Sequence, residues 1–351
     1  MLVNGQMTAA VLYGKEDVKI ERVPIPRVGH GEVLIKVQVA LTCGTDLKVY
    51  QRGYHARMIV PPALFGHELA GVVEEVGPGV KSFRSGMRVV ALNSAPCQMC
   101  FYCSKHQENL CEDLLFNNGA YAEYIKIPRR IVESNMLAVP SNVSYEEAAM
   151  VEPLACVLRG LHETSLEIGD TVVVIGGGPI GLMFVQVAKL KGCNVISVAK
   201  RDSQVSAAKR LGADDVVQIT QVQDPVDAVR ALTPDRRGAD VVIEAVGRPE
   251  AWEWAIDMAR KGGTVNFFGG CAAGTKVALD TNRLHYSEIA LKATFHHTPE
   301  TVRKAFALIA ERKIRGGDYI TGEAPLSRLQ QVLRHMLNRN GDIKTAISPG
   351  H

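Results

Sequence analysis

The run Gly176-Gly177-Gly178-Pro179-Ile180-Gly181 constrains this chain more than any other stretch. It has the spacing G-x-G-x-x-G, follows the apolar segment Val172–Ile175, and opens a helix-like segment, Leu182–Lys191. In that context the first glycine allows a tight turn. The second lets the backbone approach a pyrophosphate at a helix N-terminus, and the third permits close helix–strand packing. A tight turn without a ligand is the alternative. The wider segment Thr171–Leu190 is apolar enough to resemble a membrane span, but the glycines and Pro179 at its middle would break a spanning helix.

The surrounding pattern agrees with strand–turn–helix. Strands are expected at Thr171–Ile175, Asn194–Val198, Val216–Gln218, Asp240–Ala245, Thr264–Phe268 and Ile289–Ala293. Helices are expected at Gly181–Lys191, Ser203–Leu211, Pro225–Leu232 and Ala251–Ala259. Such alternation marks an α/β doubly wound parallel sheet. The region before Pro153 reads instead as short strands and turns, a small β-barrel or sandwich. A chain of 351 residues exceeds one compact core, so two domains are expected. The C-terminal part carries helical patterns at Pro299–Lys313 and Ser327–Asn338. They end in a short apolar strand, Lys344–Ile347, which could return to the first domain.

The end of the second strand of the alternating region selects the dinucleotide. An NAD site usually carries an acid there to accept from the ribose hydroxyls. This chain has Ala199-Lys200-Arg201, two cations where a 2′-phosphate would lie, and Asp202 belongs to the start of the next helix. NADP is therefore expected, with NAD the alternative.

The net charge of +3 has no basic block, so neither nucleic acid nor an anionic membrane is an expected partner. Met1–Lys19 lacks the continuous apolar core of a signal peptide, and eight cysteines then point to a reducing, cytoplasmic compartment. There, clustered cysteines mean metal or catalysis. Cys97, Cys100, Cys103 and Cys111 form C-x2-C-x2-C-x7-C, able to close tetrahedrally on a structural Zn²⁺ and pin a lobe with little core of its own. An iron–sulfur cluster is the rival, but the spacing and flanks differ from the ferredoxin run. Cys156, Cys193 and Cys271 read as packing residues.

One further stretch, Gly66-His67-Glu68-Leu69-Ala70-Gly71, sets imidazole and carboxylate side by side. Neighbours on a strand point to opposite faces, and a bend at Gly66 could turn both toward one metal; a solvated or hydrogen-bonded surface pair is the alternative. With Cys43-Gly44-Thr45-Asp46, the G-H-E-x2-G-x5-G run from Gly66 to Gly77, the four cysteines, Glu152-Pro153 and the Gly176 turn in this order, the chain resembles the zinc-dependent medium-chain alcohol dehydrogenases, in their polyol (sorbitol-type) and threonine dehydrogenase branch.

The resemblance covers almost the whole length and implies a fold. A GroES-like β-barrel catalytic domain would span residues 1–155 and 295–351. A Rossmann domain would span 156–294, with substrate in the cleft between them. It also implies roles. Cys43 and His67 would be catalytic zinc ligands, with Glu68 and Glu152 sharing the fourth position with water. Asp46 would orient His67, and Thr45 would take the alcohol proton. Lys48 stands where many relatives carry a histidine that passes the proton on. Its alternatives are a contact to the cofactor ribose or phosphate and plain solvation. Cofactor contacts would come from Gly176, Gly178, Pro179, Ile180, Gly181, Ala199, Lys200, Arg201, Val246, Phe268 and His296. For His296 a polar loop is the alternative.

The implied activity is reversible hydride transfer between NAD(P) and a secondary alcohol, a polyol or sugar-like molecule, in a homo-oligomer (tetramer or dimer). L-Threonine 3-dehydrogenase is the second enzymatic reading. A zinc-ribbon protein that senses nucleotide without turnover is a third, disfavoured because a sensor has no need of an open metal site.

Overall fold

The computed structural model describes residues 5–55, 57–338 and 342–350. Met1–Asn4 of the N-terminal segment read above lies outside them, as does Ala56. The chain divides into two compact units, Met1–Ala155 with Thr298–His351, and Cys156–His297.

The first unit is built on the strand Val33–Leu41. On one side it pairs antiparallel with Glu68–Val76, and at its distal end with Lys344–Ser348. Arg88–Ala91, Met136–Ala138, Ile320–Pro325 and Tyr124–Ile127 complete a seven-stranded sheet. A three-stranded sheet of Asp17–Pro24, Gln6–Gly14 and Ala63–Leu64 accompanies it. Alternation in Val33–Leu41 buries Val33, Ile35, Val37 and Val39, while Lys36 and Gln38 point outward, as a half-solvated strand requires. Val33, Ile35 and Val37 join Leu69, Val73, Tyr121, Ile127, Leu333 and Ile347 in one apolar cluster.

This unit is not all strand and turn. Gly44–Arg52 is a helix, capped by Cys43 and Asp46 through a capping box and ended by Gly53 in the left-handed region at φ +85°. Apolar residues are few in so short a segment, so periodicity hid it. The cap and the Gly stop were its signals.

The second unit is a six-stranded sheet in the order Asp215–Gln218, Asn194–Ala199, Thr171–Ile175, Ala239–Glu244, Ala259–Phe267, Ala290–Ala293. Every neighbouring pair in it is parallel. Strand order reverses between Thr171–Ile175 and Ala239–Glu244, and an open sheet of this kind binds ligands beyond the carboxyl ends at that point. The fifth strand starts earlier than its apolar run suggested, at Ala259, because Ala259 itself pairs with Ala239. The two C-terminal helices are shorter than read, Pro299–Ala310 and Leu329–Leu337, the latter preceded by a 3-10 turn at Leu326–Arg328. Among the described residues no helix is long and apolar enough to cross a membrane.

Candidate active site

Three strands of the first unit converge on one point. Leu41, at the end of its strand, lies opposite both Glu68 and Ala346. Cys43, Glu68 and Lys344 are thereby brought together from distant parts of the chain. Gly66 makes the bend that the His-Glu pair needs. Its φ is +88°, and a Cβ there would sit 2.5 Å from the Tyr121 ring. The ligand-type atoms of Cys43, His67 and Glu68 lie within 4.8 Å of one another.

The surrounding bonds fix this trio. His67 Nδ1 donates to Asp46 Oδ1 at 2.9 Å, which leaves Nε2 as its ligand atom. Asp46 Oδ2 accepts from the Tyr121 hydroxyl at 2.6 Å and from the Cys43 backbone N–H at 3.0 Å. The Thr45 N–H is directed at Cys43 Sγ, 3.5 Å away. Burial opposes a charge on His67, but Asp46 and Cys43 more than offset it and hold its pKa well above the usual 6.5. A divalent cation that bound Nε2 would displace that proton.

Glu68 and Lys344 are both fully buried. Lys344 Nζ donates to Glu68 Oε1 at 3.0 Å and to the Thr42 carbonyl at 2.8 Å, and its charge lies 2.7 Å from Glu68 Oε2. Burial pushes the Glu68 carboxyl up, and Lys344 pulls it part of the way back. Burial likewise works against the charge on Lys344, but Glu68, with Cys43 and Glu152 adding, more than restores it, so the ammonium stays protonated. Glu152, in the first turn of the helix Val151–His162, is also buried. Burial raises its carboxyl to about 7, against the pull of His67 and Lys344 and with the like charges of Glu68 and Asp46 adding. Thr45 and Lys48 lie in the helix Gly44–Arg52, three residues apart on one face, both half-buried.

Sequence reasoning missed Lys344 and Tyr121. A lysine at the head of an otherwise apolar strand was the available signal for the first. Nothing local distinguished Tyr121.

Thiol, imidazole and carboxylate in this spacing suit a borderline-soft divalent cation such as zinc. The cysteine lobe suits a closed site. Sγ atoms stand 3.6 Å apart for Cys100–Cys103, 3.8 Å for Cys100–Cys111 and 4.0 Å for Cys97–Cys103. A tetrahedron with metal–sulfur bonds of about 2.3 Å has edges of about 3.8 Å. Backbone N–H groups of Cys103 and Glu112 bring Cys100 down to about 6, ready to bind as thiolate.

The second unit places the glycine turn at the switch point. Gly176 follows its strand at φ +123°, and a Cβ there would crowd Val246 and Ala245 at the end of the neighbouring strand. A Cβ at Gly181 would lie 1.7 Å from the Gly176 carbonyl, so that glycine serves helix–strand packing. Gly178 is different. Its φ is −85°, nothing lies within 4 Å of its would-be Cβ, and it caps the helix Pro179–Leu190. Internal packing gives no reason for glycine at 178, whereas a phosphate laid against the backbone does.

Of the other expected cofactor residues, Ala199 is buried, Lys200 exposed and Arg201 half-buried at the second strand's end. Phe268 stands edge-on to Phe184, with centroids 5.0 Å apart. His296 adopts φ +63° beside His297.

Residues 29–141 match the alcohol dehydrogenase GroES-like domain family, and residues 179–311 match the zinc-binding dehydrogenase family. The chain is similar to the sorbitol dehydrogenase of Bacillus subtilis, 32% identical over 98% of this chain and 97% of that protein. It is similar to the L-threonine 3-dehydrogenase of Bacillus licheniformis, 32% identical over 94% of this chain and 95% of that protein. Among solved structures it resembles one described as a zinc-binding dehydrogenase from Sinorhizobium meliloti bound to NADP. The TM-score is 0.88 and the identity 29%, over 98% of this chain and 100% of that one.

Proposed function

Because the chain belongs to the zinc-dependent medium-chain alcohol dehydrogenase family, in its polyol and threonine dehydrogenase branch, we propose that it interconverts a secondary alcohol of a polyol or sugar-like molecule and the corresponding ketone. NADP is the preferred dinucleotide. The observation that carries this reading is the donor trio Cys43, His67 and Glu68, gathered by three strands and oriented by Asp46. The relative from Bacillus subtilis is named a sorbitol dehydrogenase, which supports the substrate class.

In this reading Cys43 and His67 hold the catalytic zinc. Glu68 and Glu152 are the carboxylates that complete the set, and Cys97, Cys100, Cys103 and Cys111 hold the structural zinc. Catalytic zinc supplies Lewis acidity toward the substrate hydroxyl, and the dinucleotide supplies the hydride acceptor. The Thr45 hydroxyl takes the substrate proton. Lys48, on the same helix face, borders that path and replaces the histidine of many relatives. The glycine turn holds the pyrophosphate at the helix N-terminus. Lys200 and Arg201 favour a 2′-phosphate, in keeping with the NADP of the Sinorhizobium structure. Ala199, Val246, Phe268 and His296 complete the cofactor contacts. The catalytic domain comprises 1–155 and 295–351 and the dinucleotide domain 156–294. The protein acts in the cytoplasm as a homo-oligomer.

Threonine oxidation is the second reading, favoured by the Bacillus licheniformis relative. Turnover measured across polyols, amino sugars, threonine and simple secondary alcohols, each with NAD and NADP, tests both. The highest kcat/KM should fall on a polyol with NADP. A clear maximum on threonine would replace the first reading by the second, and no turnover on any alcohol would overturn both.

A further inference from the structure

The turn that follows the second strand of the dinucleotide unit, Ala199-Lys200-Arg201-Asp202-Ser203-Gln204, carries two cations and one carboxylate. Its backbone is held from two sides. On one side Gln204 Oε1 accepts from the backbone N–H groups of Lys200 at 3.1 Å and Arg201 at 3.2 Å. A Cβ at Gly177 would lie 2.6 Å from the Gln204 Cβ, so this side abuts the glycine turn. On the other side stands the strand Asp215–Gln218, in which Gln218 lies opposite Ala199 in parallel register. Gln218 Nε2 donates to Asp202 Oδ1 at 2.7 Å and reaches the Lys200 carbonyl at 3.5 Å. Thr220 Oγ1 reaches the same carbonyl at 3.4 Å.

Strand order gives this bond its direction. The sheet runs Asp215–Gln218, Asn194–Ala199, Thr171–Ile175. A dinucleotide whose pyrophosphate lies on the Gly176–Gly181 turn sets its adenosine ribose over the end of the middle strand. Gln218 is on the far side of that strand, so its bond draws the Asp202 carboxylate outward, away from the ribose. The carboxylate is the one group in the turn that would repel a 2′-phosphate and accept from an unphosphorylated ribose hydroxyl. Resting on the NADP reading above, we propose that Gln218 is a specificity-determining positioning residue, which selects for the 2′-phosphate by tethering Asp202 to the outer strand. Gln218 need not touch the cofactor. It acts through Asp202.

The test uses two probes that differ only in the 2′-phosphate, adenosine 2′,5′-bisphosphate and 5′-AMP, titrated calorimetrically into the parent, Gln218→Leu, Asp202→Asn and the double variant. The parent should prefer the bisphosphate. Gln218→Leu should lower that preference about three- to tenfold, the scale of one carboxylate swinging a few ångströms closer to a phosphate in water, with 5′-AMP affinity changed less than about twofold. Asp202→Asn should keep or raise the preference, and adding Gln218→Leu to it should change nothing further. A general loosening of the turn would weaken both probes alike and would not vanish in the Asp202→Asn background.

An unaltered preference in Gln218→Leu, or the same loss in the double variant as in the single one, overturns this role for Gln218 while leaving the NADP reading intact. A parent that binds both probes equally overturns the NADP reading, and this inference with it.

Discussion

Lys344 is the residue around which the carboxylate side of the proposed zinc site is arranged. A buried ammonium and a buried carboxylate are each expensive alone, and together they are tolerated because three good contacts satisfy the lysine. Removing one partner therefore costs more than the pair contributes. Lys344→Met should lower the unfolding free energy by about 3–5 kcal/mol, since it leaves the Glu68 carboxyl buried without its partner. Lys344→Arg, which keeps the charge, should recover a large part of the loss. Urea unfolding followed by fluorescence measures both, and an unchanged midpoint in Lys344→Met would show that the pair does not hold the three strand ends together. The same residue shows why some of the site was hidden. Glu68 and Lys344 are 276 positions apart, and only the sheet brings them to 3.0 Å. Cys43, His67 and Glu68 could be picked out because their types and spacing carry chemistry. Lys344 and Tyr121 act only through partners that a linear reading does not supply.

Among the elements, the glycine turn separates what the fold needs from what the ligand needs. Gly181→Ala should destabilise the dinucleotide unit, because its methyl would overlap the Gly176 carbonyl. Gly178→Ala should leave stability unchanged or slightly improved, because its φ suits any residue and its surroundings are open. Its methyl would nevertheless stand where a pyrophosphate approaches, and dinucleotide affinity should fall about tenfold or more, the size of a 1–3 kcal/mol steric conflict. Thermal unfolding and NADP titration of the two variants check this, and undiminished NADP affinity in Gly178→Ala would remove the phosphate from that turn. The central parallel strands of this unit were legible because they are runs of Val and Ile, as at Thr171–Ile175 before Gly176. The helix Gly44–Arg52 was not, because capping rather than an apolar stripe defines it.

At the scale of the whole molecule, local motifs were the readable layer and long-range pairing was not. The order of motifs from Cys43 to Gly181 announced a zinc dehydrogenase. The antiparallel return of Lys344–Ser348 onto Val33–Leu41 depends on which strand edge is left open after folding, which no window of sequence encodes. That return matters for function, since it delivers Lys344 to Glu68 and closes the strand junction under Cys43. The proposed mechanism requires a metal held at this junction for turnover but not for dinucleotide binding. Cys43→Ala tests it most directly, with turnover on the best polyol and NADP affinity measured on the same preparation. Turnover should be abolished with NADP affinity within about twofold of the parent, a change well under 1.4 kcal/mol. Retained turnover would contradict the zinc mechanism at Cys43, His67 and Glu68.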